Sequence, residues 1–314
     1  MRGSFGRGSL GLLVFAAVVA IAAAGRADGL PDWAFSSNPP APKPASPPVD
    51  DGTIKHVAGS SVGMTQSRVR DAFNVPDWHP DNHPAAPDVV LHGRKPAVIA
   101  CGYCHLPNGL GRPENAGLAG LPAAYIVQQI ADFRSGARAS SDAKLVPPGL
   151  MDAIAKAATD DEVKAAAAYF SGLEPRPWIR VVEAATVPRT HVAGYMLVPD
   201  ADGGAEPIGQ RIVETPENLA QTELRDSGSG FVAYVPPGSI ARGEELVNTG
   251  VDLKGLGPVP QLAGRSPSYI VRQLYDFRSG ARAGLWSPLM QGVVRDLTPA
   301  DIVDLAAYTA SQKP

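Results

Sequence analysis

The chain carries one segment twice, and this repeat constrains its fold more than any other feature. Residues 125–139 return as residues 269–283, and 12 of the 15 positions are identical. Residues 159–169 likewise resemble residues 298–308. In both copies a methionine lies 18 residues before the tyrosine that ends this second segment, and the two methionines are Met151 and Met290. Similarity at a fixed spacing indicates two copies of one structural unit.

Both repeated segments are predicted to be helices. Residues 123–135 have apolar side chains three and four positions apart, as on one face of a helix, and Gly136 follows as a stop signal. Thr159 and Glu162 have the spacing of a capping box at the start of the second helix. In the other copy Asp301 takes the place of Glu162.

The amino terminus has the pattern of a secretory signal peptide. Arg2 and Arg7 precede an apolar run at residues 10–24, and small residues before Ala27 suit a cleavage site, so residues 1–27 are expected to be removed. A retained amino-terminal membrane anchor is the alternative. The apolar run of about 15 residues is shorter than the roughly 20 that span a bilayer, which favours cleavage.

Charge and length narrow the function classes. Removing residues 1–27 takes away three arginines and no acid, so the net charge of −3 becomes −6. An acidic exported chain lacks the basic face that nucleic-acid binding needs, so no nucleic-acid partner is expected. The remaining 287 residues exceed one small domain and suit two modules with connectors.

Composition separates the parts of the chain. Seven of the twenty residues 31–50 are proline, which predicts an extended strap. Trp78, His79 and His83 are expected to pin this strap onto a folded lobe. Residues 176–238 contain β-branched and aromatic runs between Pro, Gly and Asp, which predict a small antiparallel β insert. The expected division is a signal peptide at 1–27, a proline-rich strap at 28–86, a first helical domain at 87–175, a β-rich connector at 176–238 and a second helical domain at 239–314.

The pentapeptide Cys101-Gly102-Tyr103-Cys104-His105 carries the chemistry and holds the only two cysteines of the chain. Cys-x-x-Cys-His is the attachment pattern of a c-type haem, in which two thiols bond the porphyrin and the imidazole becomes an axial iron ligand. A structural disulfide is disfavoured because it would close a very short loop. A zinc site would need more soft ligands, and a redox dithiol would need a βαβ context.

The sixth iron ligand is a separate question. Met151 lies in a Pro-Pro-Gly-Leu-Met stretch, expected to be a loop that brings the thioether to the far side of the ring, and Met290 recurs at the same place in the second copy. A methionine is often only core filler. The other candidates are His79, His83 and His92, and the iron's sixth position could also be open.

The order of these motifs resembles the class I cytochromes c. It combines Cys-x-x-Cys-His, a loop ending in Leu-Ala-Gly, the helix Tyr-Ile-Val-Gln-Gln-Ile-Ala-Asp-Phe-Arg-Ser-Gly, a methionine segment and a helix with Ala-Ala-Tyr. The duplication resembles the diheme cytochrome c4 type. The resemblance implies a mostly α fold with two helical lobes, one-electron transfer, and haem iron held by His105 and Met151. It also implies a proline carbonyl that orients the imidazole, for which Pro113 is the candidate.

The second lobe departs from this pattern. Its opening helix is expected at residues 241–247, and residues 252–257 already match the loop that should follow the histidine. Residues 248–251, which lie between them, contain no cysteine or histidine, so the attachment segment is missing and Met290 marks a degenerate site. Losing a porphyrin from such a core is costly, because even methyl-sized voids cost about 1 kcal/mol each. We expect the lobe to collapse around Met290, dock on the first lobe or become partly disordered, and to persist in a loosened form that stabilises the first.

The leading functional hypothesis is a periplasmic electron carrier with one covalent haem c. Protein ligands on both sides of the iron leave little room for substrate, and no base or nucleophile constellation accompanies the site. The Asp160-Asp161 pair suits a helix N-terminus better than a metal site. Expected partners are a dehydrogenase, an oxidase or other cytochromes, with a membrane only if the signal segment is retained. The alternatives are a haem subunit of a periplasmic dehydrogenase complex, and a haem enzyme or gas sensor with a labile sixth ligand.

Overall fold

The computed structural model describes residues 29–36, 50–249 and 261–314. The predicted signal peptide, most of the proline-rich run and the segment from which the second haem motif is missing therefore lie wholly or largely outside the described residues. Within them, two helical lobes flank a region of short strands, so the prediction of a two-lobed, mostly α fold is confirmed.

The first lobe is built from short helices followed by three longer ones. Its helices are α1 Gln66–Val69, α2 Asp88–Leu91, α3 Cys101–His105, α4 Ala123–Ser135, α5 Val146–Ala157 and α6 Asp160–Ser171. α4 packs against α5 and α6, and α2 packs against α3 and α6. The buried side chains of Val90, Val98, Ile126 and Phe170 belong to one apolar core between these helices.

The connector contains seven strands and one helix. Its elements are β1 Ile179–Glu183, β2 Thr186–Pro188, β3 Thr190–Ala193, β4 Met196–Pro199, β5 Ala205–Pro207, β6 Val213–Pro216, α7 Leu219–Glu223 and β7 Phe231–Val235. β2 with β5 and β3 with β4 form antiparallel pairs, and a three-stranded sheet has the order β1-β7-β6. In this sheet β1 runs parallel to β7. The expectation of a purely antiparallel insert is thus wrong, because the long segment between β1 and β7 allows the crossover that parallel strands need.

The described part of the second lobe contains four helices, α8 Ser239–Thr249, α9 Pro267–Ser279, α10 Ser287–Val294 and α11 Pro299–Ser311. α11 packs against α8 and α9, and α10 packs against α9. Val271, Ile302 and Ala306 are fully buried in its core, and the partly buried Met290 packs against it. The described part of this lobe thus has an apolar core against which Met290 packs.

The amino-terminal segment contributes to the second lobe. Ala34 and Phe35 are buried in its core, and the Phe35 ring packs edge-on against Tyr275 with centroids 6.3 Å apart. Tyr275 replaces Ala131 of the first copy, one of only three differences in the repeated segment. The strap therefore docks where the second copy has diverged.

The rest of the strap is more structured than expected. Residues 50–86 include α1 and a 3-10 turn at Pro80–Asn82, and Val57, Met64, Val69 and Trp78 form a small apolar cluster. The Trp78 indole donates to the carbonyl of Leu224, 2.8 Å away. Trp78 therefore anchors the strap to the connector, whereas Nδ1 of His83 lies 3.1 Å from the Tyr169 hydroxyl of α6 and joins the strap to the first lobe, as predicted.

The predicted helix ends are confirmed in both copies. Gly136 and Gly280 end α4 and α9 with φ values of 77° and 78°, a conformation that favours glycine. Capping boxes start α6 and α11, through Thr159 with Glu162 and through Thr298 with Asp301. Each cap of this kind is worth about 1 kcal/mol. Local sequence chemistry thus sets these boundaries.

The connector is tied to the second lobe through a buried carboxylate. Glu214 of β6 accepts hydrogen bonds from the Ser266 hydroxyl at 2.8 Å and from the Ser268 amide at 3.1 Å, at the start of α9. It is 1% exposed, and this burial raises its pKa.

No helix among the described residues is long and apolar enough to cross a membrane.

Candidate haem site

The three residues of the predicted attachment motif share one short helix. Cys101 and Cys104 are three positions apart on α3, and His105 ends it. Gly102 lies against α2, where a Cβ atom would stand 2.8 Å from the carbonyl oxygen of Val90. A larger residue at this position would push α3 away from the core, so glycine allows the helix to lie against α2 with its thiols three apart on one face.

His105 is held in the orientation that an axial ligand needs. Its side chain is 7% exposed, and its ring packs against Phe170 with centroids 6.2 Å apart. Nδ1 lies 2.8 Å from the carbonyl oxygen of Ala116, to which it donates in the neutral form. Burial lowers the pKa of His105, which favours this neutral imidazole. With Nδ1 bonded to a carbonyl, Nε2 is the nitrogen left to bind iron.

The Pro113 carbonyl does not bind and orient the His105 imidazole, contrary to the prediction. Ala116, three residues further along the loop, supplies the carbonyl for His105. The Pro113 carbonyl instead accepts a hydrogen bond from Arg272 of the second lobe. The loop turns between the two residues, so sequence proximity to a proline was not enough to identify the acceptor.

The surroundings of the two thiols disfavour a redox-active thiolate. Both are free, and burial raises the pKa of Cys101 to about 12, with the neighbouring Cys104 adding to the effect. Burial also raises the pKa of Cys104. Redox-active or zinc-binding cysteines have thiolate character and a lowered pKa. Within the described ranges no group of three or more His, Cys, Asp or Glu side chains could hold a metal ion.

These residues fit a covalent haem c. Cys101 and Cys104 would hold the porphyrin, His105 would bind its iron, and the bound group would supply one-electron redox chemistry. The protein's own contribution is an oriented, neutral imidazole and a half-buried position for both thiols.

Met151 lies on a helix and not in the expected loop. It belongs to α5, whose first turn contains Pro147 and Pro148. Proline is well tolerated in the first turn because the first amide groups of a helix have no internal partner. Arg134 of α4 fixes α5 by donating to the carbonyls of Ala155 and Ala158. Met151 therefore has a defined position, and it is half-buried.

The rival histidines have other environments. Nε2 of His79 lies 2.9 Å from the carboxylate of Asp226 in the connector. Nε2 of His83 lies 3.2 Å from Asp77, a contact that raises the pKa of His83. His92 is exposed at the end of α2. The two half-buried rivals, His79 and His83, thus already contact carboxylates, as expected for residues that stabilise a loop.

The connector also reaches the attachment helix, which sequence reasoning missed. The Arg225 guanidinium lies 3.7 Å from the centroid of the Tyr103 ring and donates to the Tyr103 carbonyl at 2.6 Å. Arg112 pairs with Glu114 at 3.1 Å and donates to the thioether of Met196 at 3.0 Å. The close spacing of Arg112 and Glu114 is a weak local signal for a pair, whereas nothing local in the sequence points to Arg225.

The two lobes meet across an approximate two-fold axis of the repeat. Arg138 donates to the Tyr269 hydroxyl at 2.7 Å, and the equivalent Arg282 donates to the Tyr125 hydroxyl at 2.6 Å. A short antiparallel bridge joins the backbone at Arg138 and Arg282. The second lobe thus docks on the first through the same residues in both copies.

Comparison with known proteins identifies the family. No family model matches the chain. Cytochrome c-554(548) of Halomonas halodenitrificans is 37% identical over 82 residues, which are 24% of this chain and 99% of that protein. The chain belongs to the class I c-type cytochromes. It is an electron carrier and not itself an enzyme.

Longer matches cover both lobes. The thiosulfate dehydrogenase electron acceptor of Stutzerimonas stutzeri is 28% identical over 222 residues, 70% of this chain and 82% of that protein. Cytochrome c4 of Azotobacter vinelandii is 26% identical over 234 residues, 71% of this chain and 89% of that protein. The solved cytochrome c4 of Acidithiobacillus ferrooxidans is 21% identical, with a TM-score of 0.41, over 67% of this chain and 98% of that one. The chain is a two-lobed, cytochrome c4-like member of its family, and its second lobe lacks the attachment motif.

Proposed function

We propose that this cytochrome carries single electrons through one covalent haem c, attached to Cys101 and Cys104 with His105 and Met151 as axial ligands. The observation that carries the proposal is the buried His105 imidazole. His105 lies on the same short helix as both thiols, and its Nδ1 is hydrogen-bonded to the carbonyl of Ala116 in the following loop. Such an arrangement presents one ring nitrogen to an iron and fixes its direction.

The second axial ligand follows from the repeat and the helix. Met151 is fixed on α5, and α5 packs against α4, the helix that shares the core of the first lobe. A methionine ligand would raise the reduction potential of a bound haem, and together with His105 it would leave the iron no open position for substrate. Electron transfer without substrate binding suits such an iron.

One haem per chain is proposed because the chain has two cysteines in total and both lie in one motif. Met290 of the second lobe packs against apolar side chains. We assign it to the core of a lobe that holds no haem.

The location and domain division are part of the proposal. A signal peptide at residues 1–27 would deliver the chain to the periplasm, where a strap at 28–86, a haem domain at 87–175, a β-rich connector at 176–238 and a haem-free domain at 239–314 make up the mature protein. The amino-terminal charge pattern and the family support this division.

The proposed electron donor is a periplasmic dehydrogenase. Two relatives, from Stutzerimonas stutzeri and Thiomonas intermedia, are named as electron acceptors of thiosulfate dehydrogenase. A stable haem subunit of such a complex is the second candidate function. Mild extraction followed by affinity purification separates the two, because a shuttle is recovered alone and a subunit is recovered with its dehydrogenase.

Replacing Met151 by alanine tests the axial assignment. We expect the ferrous M151A variant to bind carbon monoxide with a shift of the Soret band, because its sixth position opens, and its reduction potential to fall. The unmodified protein should show no shift. Absorption spectra under carbon monoxide and a redox titration measure both effects.

Met290→Ala is the matched control, because the repeat places Met290 at the equivalent position of the second lobe. We expect its spectra and potential to equal those of the unmodified protein. Met151 would be excluded as the ligand if the M151A variant showed no carbon monoxide shift of the Soret band, or if M290A did show one. A carbon monoxide response in the unmodified protein would favour a haem enzyme or gas sensor.

A further inference from the structure

The loop that orients the axial histidine is held by the lobe that lacks the haem motif. This loop, residues 113–119, contains Ala116, whose carbonyl bonds Nδ1 of His105. Arg265 donates to the carbonyl of Gly117 at 2.6 Å and to that of Ala119 at 2.9 Å. Arg272 donates to the carbonyl of Pro113. Two arginines of the second lobe thus bind carbonyls on both sides of the one that His105 uses.

The guanidinium groups of Arg265 and Arg272 donate their hydrogen bonds to backbone carbonyls. Arg272 is 5% exposed, and its other arm donates to the Ala34 carbonyl at 3.1 Å. Arg265 also donates to the carbonyl of Gln261. Neither arginine makes an ion pair with a carboxylate of the described residues, since all the ion pairs found there involve other cations. Burial lowers the pKa of Arg272, and the nearby buried carboxylate of Glu214 opposes this effect. The hydrogen bonds of both guanidinium groups nevertheless go to backbone carbonyls, which is what fixing the position of a loop requires.

The repeat shows that these arginines are particular to the second copy. The register that aligns Tyr125 with Tyr269 places Leu121 opposite Arg265 and Gln128 opposite Arg272. Gln128 donates to Asp132 within its own helix. The arginines are therefore not a general feature of the repeated fold, and they occur in the copy without an attachment motif.

We infer that the second lobe serves as a positioning element for the haem ligand of the first. Arg265 and Arg272 fix the loop at residues 113–119, and the loop fixes the carbonyl of Ala116 against Nδ1 of His105. The strength of this hydrogen bond sets how strongly the imidazole donates to iron, and so influences the reduction potential. The inference rests on the proposed function, since it takes His105 as the axial ligand.

Two effects of an arginine need to be separated. A buried positive charge changes the reduction potential of a nearby iron through its electric field alone. The positioning role instead needs the planar guanidinium fork, whose N–H groups bind two carbonyls at once. Arg272→Lys keeps the charge and loses the fork. Arg272→Gln and Arg265→Leu install the residues of the first copy and lose both.

The test follows the Nδ1 proton of His105 in the ferrous holoprotein, with nitrogen-15-labelled histidine and hydrogen-exchange NMR. Loss of charged hydrogen bonds to the loop should speed exchange of this proton by about tenfold or more. We expect this in R265L, R272Q and R272K, together with a shifted reduction potential. Arg282→Gln is the matched control, because buried Arg282 crosses the lobe interface to Tyr125 and Gln129 without bonding the loop. Its exchange rate should stay unchanged.

The possible outcomes separate this inference from the proposed function. Unchanged exchange in R265L and R272Q would overturn it, and so would equal acceleration in R282Q, which would indicate general loosening of the interface. An R272K protein with the exchange rate of the unmodified protein would assign the effect to charge instead of position. If R272Q does not fold, the partly exposed Arg265 provides the independent variant. Absence of covalent haem in the unmodified protein, seen by mass, would instead contradict the proposed function.

Discussion

Replacing both Cys101 and Cys104 by alanine is expected to abolish covalent haem attachment and to destabilise the first lobe severely. No other cysteine exists in the chain, so no thioether can form. A porphyrin held there would also form part of the core of the first lobe, since Cys101 packs against that core and His105 packs against Phe170. Each methyl-sized part of the void left by its loss would cost on the order of 1 kcal/mol. Haem staining of denatured protein and thermal unfolding followed by circular dichroism measure the two effects.

The single variants Cys101→Ala and Cys104→Ala are the matched controls, because each keeps one attachment point and the same polypeptide core. We expect them to retain some covalent haem and intermediate stability. A double variant that unfolds at the temperature of the holoprotein would show that haem is not part of the core of the first lobe. That outcome would contradict the site as described.

Gly243→Ala is expected to be the most damaging single substitution in the second lobe. A Cβ atom at Gly243 of α8 would stand 2.1 Å from the backbone oxygen of Asp304 and 2.7 Å from the Cβ of Tyr308, both on α11. Relieving this overlap requires the two helices to separate. Overpacking of this kind costs about 3 kcal/mol. Denaturant unfolding of the holoprotein measures the loss in the free energy of unfolding.

Gly292→Ala provides the opposite case in the same lobe. Gly292 lies within α10, and a Cβ atom there would meet no atom within 4 Å. Alanine restricts the unfolded chain and suits a helix, so this variant should gain about 0.5–1 kcal/mol. Equal effects of the two variants would mean that α8 does not pack against α11, and that the second lobe lacks the core described above.

Features determined by neighbouring residues could be predicted from the sequence. Gly136 ends its helix because glycine readily adopts a positive φ, and Thr159 starts one because its side chain caps a free amide. The helical position of Cys101, Cys104 and His105 agrees with a motif whose chemistry needs a fixed spacing. The repeat correctly predicted two lobes.

Features that depend on distant residues could not be predicted. Arg225 and Tyr103 are 122 positions apart, and Arg265 and Gly117 are 148 apart. Their contacts follow from how the connector and the second lobe pack on the first, which no local pattern encodes. The direction of β1 relative to β7 has the same origin, because apolar strand residues suit parallel and antiparallel pairing alike.

Two errors have local causes. Pro147 and Pro148 suggested a loop around Met151, yet prolines in the first turn start α5 without cost, so the methionine lies on a helix. Pro113 suggested the acceptor for His105, yet the loop places the Ala116 carbonyl there. In both cases proline correctly indicated a turn or a helix end. It did not predict where the Met151 side chain or the carbonyl bound by His105 would lie.

Haem stoichiometry tests the central claim most directly. Intact-mass spectrometry of the purified holoprotein, combined with a pyridine haemochrome assay on the same sample, gives the number of covalent haems per chain. The presence of one attachment motif in a two-lobed cytochrome predicts one covalent haem and a second lobe that is folded without any. Two haems per chain would contradict the assignment of the second lobe as a haem-free support for the first.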